Sequence, residues 1–248
     1  MLTSPDRSRL DDSVIEEIAR QVSNLHKSGY EIILVSSGAI VAGIKELNIK
    51  DVPSEIPFKQ AAAAVGQSHL IGKYERYFKK EGLKVAQILL THDDLSSRVR
   101  YLNAKNTILT ILSFRVIPII NENDTVAVDE IKFGDNDTLS AMVANLVDAD
   151  LLIILSDVKG LYNADPKLNP SAKLIPLVKK ITPEIETMAG ESKSATGVGG
   201  MTTKIQAAKK VSLAGIPAVI VDGKTGGVIN AVINGEDAGT LFLPDRKL

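Results

Sequence analysis

The sequence predicts an α/β protein built on a mostly parallel central sheet covered by helices on both faces, and three observations carry that prediction. Short runs rich in β-branched residues are apolar on both faces, as strands buried on both sides must be. Segments with apolar residues at helical spacing alternate with those runs, the pattern of crossover connections between parallel strands. A chain of 248 residues that is 44% hydrophobic can also bury a core large enough for such a sheet.

In chain order, 11–25 places Val14, Ile15, Ile18, Ala19, Val22 and Leu25 at helical spacing and stops at Ser28-Gly29, after which 31–35 (EIILV) reads as a short buried strand. Further strands are expected over 85–90, 116–120, 151–155 and 218–221, next to helices over 59–80, 103–112, 139–147 and 203–214. No internal repeat or low-complexity segment interrupts this order, so a single domain over 1–248 is expected. A mild shift at Asp148-Ala149-Asp150 would divide it into lobes of about 1–148 and about 149–248.

Composition narrows the function. Lys+Arg 29 against Asp+Glu 30, a net charge of −1, provides no basic surplus for nucleic acid or an acidic membrane, so small molecules are the expected partners. With no cysteine there is no disulfide framework and no thiolate nucleophile. The opening residues Thr3, Ser4, Asp6, Arg7 and Arg9 are too polar for a signal peptide, and no apolar run nears the roughly 18 to 20 residues that span a bilayer, so a cytoplasmic location is expected. Five Tyr, five Phe and no Trp provide no stacking platform for single-stranded nucleic acid. His26, His69 and His92 lack metal-ligand spacing; His26, near a helix end, reads as a charge partner of that terminus, and no metal ligand is assigned.

Ligands of such sheets collect at the carboxyl ends of strands, so the loops there carry the chemistry. After the first strand, Ser36-Ser37-Gly38 is small enough for close backbone approach, and a helix starting near Ala39 would aim free N–H groups at an anion; a serine cap with a turn glycine explains the same residues. After 151–155 come Ser156 and Asp157, then Gly160, Tyr162 and Pro166. In TGVGGMTTKIQAA, Gly197, Gly199 and Gly200 lead into a helical pattern through Met201, Thr202, Thr203 and Lys204. Glycine backbone, helix terminus and lysine together suit a phosphate, without the spacing of a Walker A loop or a dinucleotide fingerprint. The run after 116–120 holds Glu122, Asp124, Asp129, Glu130, Asp135 and Asp137 against Lys132 alone, so either solvent separates these carboxylates or a cation sits among them.

Taken together, SSGAIVAG at 36–43, AAVGQ at 63–67, NAKNT at 103–107, PIINENDTVA at 118–127, FGDNDTLSA at 133–141, SDVKGLYNADP at 156–166 and GGMTTK at 199–204 resemble the amino acid kinase family. Within it they are most similar to the kinases that phosphorylate the side-chain carboxylate of glutamate, the first step of proline biosynthesis. The resemblance runs from about residue 36 to the end of the chain. It implies ATP and Mg2+ as cofactors, L-glutamate as the acceptor, proline as a feedback inhibitor and a homo-oligomer, with the first lobe binding the amino acid and the second the nucleotide.

By the same resemblance Lys204 would stabilise the transferring phosphoryl group, with Asp137 orienting the lysine side chains. Ser156, Asp157 and the stretch Val198, Gly199, Gly200, Met201, Thr202, Thr203 and Lys204 would hold the nucleotide. Ser37, Gly38, Asp124 and Asn136 would hold glutamate, Asp124 against the ammonium and Asn136 with the Ser37-Gly38 loop against carboxylates. Asp129 and Glu130 would lie on a solvated excursion. Two departures from the family pattern stand out. Some members continue into a C-terminal PUA domain, whereas a kinase domain without PUA is expected here. Members also begin with a strand carrying Lys-x-Gly-[Ser/Thr], and Met1-Leu2-Thr3-Ser4-Pro5 starts where that strand would end, so a missing first strand and a reading frame extending upstream of Met1 are expected. The alternatives are a sister kinase acting on acetylglutamate, aspartate, carbamate or UMP, or a form that binds ligand without turnover.

Overall fold

The computed structural model describes residues 1–4, 10–49, 55–127, 136–166, 168–191 and 200–245. These residues gather into two compact units, one of Leu2–Asn136 and one of Met1 with Asp137–Leu248. In both, parallel strands are flanked by helices, the α/β architecture that the periodicity predicts.

In the first unit the elements are α1 (Asp12–Lys27), β1 (Leu34–Val35), α2 (Ala39–Glu46), α3 (Ile56–Lys80), β2 (Val85–Leu90), α4 (His92–Ser96), α5 (Arg98–Ser113) and β3 (Ile117–Glu122). The sheet order is β1-β3-β2 and every pairing is parallel, with β3 in the middle and buried along its whole length. Helix α1 starts where the Asp11 side chain accepts from the Ser13 N–H at 3.1 Å, and it buries Ile15, Ile18, Ala19 and Val22. The expected strand over 31–35 is realised only at Leu34 and Val35. They pair with Ile119 and Ile120 of β3, their single neighbour in the sheet among the described residues. Strand β2 has the expected bounds, and β3 is displaced by one residue at its start and runs on to Glu122.

Helices α2 and α3 lie almost backbone to backbone. A Cβ on Gly43 would stand 1.7 Å from the Ala62 carbonyl oxygen, and one on Gly66 would stand 1.8 Å from that of Ala39. Only glycine permits this approach, and it brings the N-terminus of α2 and the middle of α3 onto the same end of the sheet.

The second unit contains α6 (Asn136–Val147), whose first residue closes the first unit, then β4 (Leu152–Ser156), β5 (Leu177–Val178), α7 (Pro183–Glu191), α8 (Met201–Ser212), β6 (Ala218–Asp222), α9 (Val228–Ile233) and β7 (Gly239–Phe242). Its sheet order is β4-β6-β7-β5, parallel except for the antiparallel pair β6 and β7. Leu152 and Ile154 of β4, Ala218 and Ile220 of β6, Phe242 of β7 and Ile205, Ala208 and Val211 of α8 form one core cluster. Thr240 is fully buried because its hydroxyl donates to the Ile175 carbonyl at 2.7 Å and accepts from the Leu161 N–H at 2.8 Å. No helix among the described residues is long and apolar enough to cross a membrane.

Candidate active site

In the first unit the parallel strands end together, so the loops after β1 and β3 open from the same end of the sheet. Ser36 is buried. Its N–H donates to the Ile120 carbonyl at 2.9 Å, and its hydroxyl lies 3.0 Å from that of Tyr74 on α3. Burial pushes the Tyr74 phenol up to about 12, against the smaller opposing effect of the Ser36 hydrogen bond, so Tyr74 holds its proton and remains a neutral partner. That anchor leaves the next residue, Ser37, exposed at the head of α2. Gly38 then caps α2 at φ 112°, a left-handed conformation that favours glycine, with Leu10 packed where its side chain would be.

The end of β3 is polar although it is buried. Asn121 is 2% exposed and Glu122 5% exposed. The Asn121 amide donates from Nδ2 to Gln67 Oε1 of α3 at 2.8 Å, and its Oδ1 accepts from Asn136 Nδ2 at 3.0 Å. Asp124 follows, half-buried in a turn whose far side is tied back to α3 by Gln60, which donates to the Ala127 carbonyl at 3.4 Å. The carboxylates Asp129, Glu130 and Asp135 lie outside the described residues, as does Lys132.

The second unit assembles a different set. Asp137, in the first turn of α6, receives the Lys204 ammonium at 2.9 Å and the Thr203 hydroxyl at 2.7 Å on the same Oδ2. The Gly200 carbonyl, 2.9 Å from Thr203 Oγ1, is the alternative acceptor for that single hydroxyl proton. Lys204 is buried in the first turn of α8, so a full positive charge is held next to the partial positive charge of a helix N-terminus. Thr202 donates to the Ala189 carbonyl at 3.3 Å and links α8 to α7. Helix α8 packs on β4 and β6. Those strands end in register at Ser156 and Asp222, and Gly223 then donates back to the Ser156 carbonyl at 2.9 Å. Ser156 is buried at this end and Asp157 is exposed just beyond it.

Of the residues singled out in the sequence, the structure therefore joins Asp137, Thr203 and Lys204 in one hydrogen-bonded cluster headed by Gly200 and Met201, and it puts Ser156 and Asp157 at the end of β4. Ser37 and Gly38 lie at the head of α2, Asn136 is bonded to the end of β3, and Asp124 is in the turn that follows. Val198 and Gly199 lie outside the described residues. Reading the sequence missed Asn121 and Gln67 as individual contributors. A signal was present: Asn121 is a polar residue at the end of an otherwise apolar strand, where a buried amide needs a specific partner.

His26 corrects an expectation. Burial first, and then the Arg115 guanidinium, lower its pKa, so it is not the cation of the α1 terminus. Arg115, held at φ 56°, takes that part and donates to the His26 carbonyl.

The sequence model of the amino acid kinase family matches residues 1–222. The chain is 54% identical over 239 residues to the glutamate 5-kinase of Pelobacter propionicus, covering 96% of this chain and 64% of that one. It is also 54% identical over 245 residues to the glutamate 5-kinase of Methanosarcina acetivorans, covering 98% and 64%. The chain thus spans 64% of the length of each of these relatives. Among solved structures the fold is similar to the carbamate kinase of Giardia lamblia, with TM-score 0.65 and 19% identity over 93% of this chain and 89% of that one. It is similar also to the UMP kinase of Bacillus anthracis, with TM-score 0.61 and 17% identity over 100% and 93%. The fold, the polar ends of β3 and β4 and the lysine at the head of α8 accompany a match over most of the chain: it belongs to the amino acid kinase family.

Proposed function

We propose that the chain transfers the γ-phosphoryl group of ATP to the side-chain carboxylate of L-glutamate, giving L-glutamyl 5-phosphate and ADP, the first step of proline biosynthesis. The observation that carries the reading is the dipeptide Asn136-Asp137. Asn136 bonds to the amide at the end of β3, and the next residue holds Lys204 and Thr203. Identity of 54% to glutamate 5-kinases, with the motifs around both residues in place, favours glutamate over the acceptors of the sister kinases.

In this reading a glutamate carboxylate oxygen attacks the γ-phosphorus as the bond from that phosphorus to the β,γ-bridging oxygen breaks, and ADP leaves with the electron pair. Protein does little covalent work in such a transfer; it brings two anions together and neutralises the charge that develops. Lys204 is fitted to the second task because Asp137 fixes its ammonium and burial strengthens its field. Ser156, Asp157 and the backbone at the head of α8 would hold the nucleotide; Ser37, Gly38, Asp124 and Asn136 would hold glutamate. Mg2+ would neutralise phosphate oxygens. We place the reaction in the cytoplasm.

The test is ADP release by the purified chain with ATP and Mg2+, offered glutamate, N-acetylglutamate, aspartate, carbamate or UMP in turn. Release that depends on glutamate alone is expected; release with another acceptor and not with glutamate would overturn the assignment.

A further inference from the structure

We infer that Gln67 is a positioning residue: it sets the direction of the amide relay at the end of β3 and thereby which atom Asn136 turns to the substrate. The inference rests on the reading of Asn136 as a glutamate-binding residue.

Asn121 sits on the central strand of its sheet, where its neighbour across the ladder is Leu89 of β2. It is 2% exposed, so its amide must find protein partners. The two arms of an asparagine amide have nearly the same shape, and packing alone does not choose between them. Their partners do. Gln67 Oε1 accepts from Asn121 Nδ2 at 2.8 Å, which turns Asn121 Oδ1 toward Asn136, and that oxygen accepts from Asn136 Nδ2 at 3.0 Å. The relay therefore runs one way, from Asn136 through Asn121 to Gln67.

The consequence is chemical. With Nδ2 committed to Asn121, the carbonyl arm of the Asn136 amide is turned from Asn121 and is an acceptor suited to an ammonium, while the second Nδ2 hydrogen suits a carboxylate. An α-amino acid presents both groups. A relay running the other way would put the Asn136 carbonyl on Asn121 and turn an NH2 group to the substrate ammonium, donor against donor. The backbone that carries Gln67 is held close to this end of the sheet: its neighbour Gly66 is the point where α3 meets the backbone of α2, with no room for a Cβ.

Three substitutions in the full chain test this, with KM for glutamate, KM for ATP and kcat measured for each. Gln67→Met keeps the length and removes the carbonyl; it is expected to raise the glutamate KM about tenfold, with the ATP KM within about twofold of the parent. Gln67→Glu, which can only accept, should recover most of that loss. Gln67→Lys, which can only donate, should raise the glutamate KM at least as much as Gln67→Met, and it answers the same question if the methionine variant does not fold. A glutamate KM unmoved by Met or Lys, or a Glu variant as impaired as the Met variant, would overturn the inference while leaving the proposed reaction standing. A parent chain without glutamate-dependent turnover would reject that reaction and this inference with it.

Discussion

In the proposed reaction, Lys204 is the residue on which the chemistry would turn. A solvated lysine would spread its charge into water, but this one is 9% exposed and is aimed by the Asp137 carboxylate at 2.9 Å. Because the charge it offsets grows as the phosphoryl group moves, Lys204→Ala is expected to lower kcat by on the order of 10²-fold or more, with a smaller change in glutamate binding. Near-parental kcat would remove Lys204 from the reaction. Asp124 would differ in kind, as the proposed partner of an ammonium that is charged before and after transfer. Asp124→Ala should raise the glutamate KM and leave the ATP KM nearly unchanged, since a charged hydrogen bond contributes roughly 1.5 to 3 kcal/mol; steady-state kinetics with each substrate varied in turn decides it. His26 predicts a pH dependence. Its pKa is lowered in the folded chain by burial and Arg115, so as pH falls below the ordinary value of 6.5 the unfolded chain takes up the proton first and stability drops. Denaturant melts across that range should show the loss, and His26→Gln should flatten it; an equal slope in both chains would contradict the assignment.

At the scale of elements, periodicity made most of the fold legible, and its failures have physical causes. The run 85–90 became β2 with the same bounds because each of its six residues pairs with a residue of β3. The run 31–35 looked equally strong, yet only Leu34 and Val35 form a ladder, since among the described residues β1 has one neighbour and strand character is decided by pairing. Strand β7 escaped notice because GTLF carries a glycine and a threonine, whose burial depends on Gly160, Leu161 and Ile175, residues distant in sequence. In the candidate site, Lys204 and Asp137 could be read from glycine, charge and resemblance. The Gln67 bond to Asn121 could not, because it joins residues 54 apart through a helix packing that no local pattern encodes. That packing makes its own prediction. Gly66→Ala would force a Cβ into the Ala39 carbonyl, 1.8 Å away, so the helices must part; a loss of about 1 to 3 kcal/mol is expected in chemical denaturation. A variant as stable as the parent would show that α2 and α3 are not in such close contact.

For the molecule as a whole, two α/β units are joined at Asn136 and Asp137, consecutive residues that take part in two different hydrogen-bonded clusters. The first unit offers amides, small residues and Asp124, groups suited to an amino acid. The second offers a helix N-terminus and a fixed lysine, groups suited to phosphates. The proposed reaction makes an acyl phosphate on glutamate. The most direct measurement incubates the purified chain with ATP, Mg2+ and glutamate in the presence of hydroxylamine, which captures an acyl phosphate as a hydroxamate. γ-Glutamyl hydroxamate formed in step with ADP, and lost in Lys204→Ala, is expected. Glutamate that binds without yielding hydroxamate, or ADP released without it, would rule the proposed reaction out.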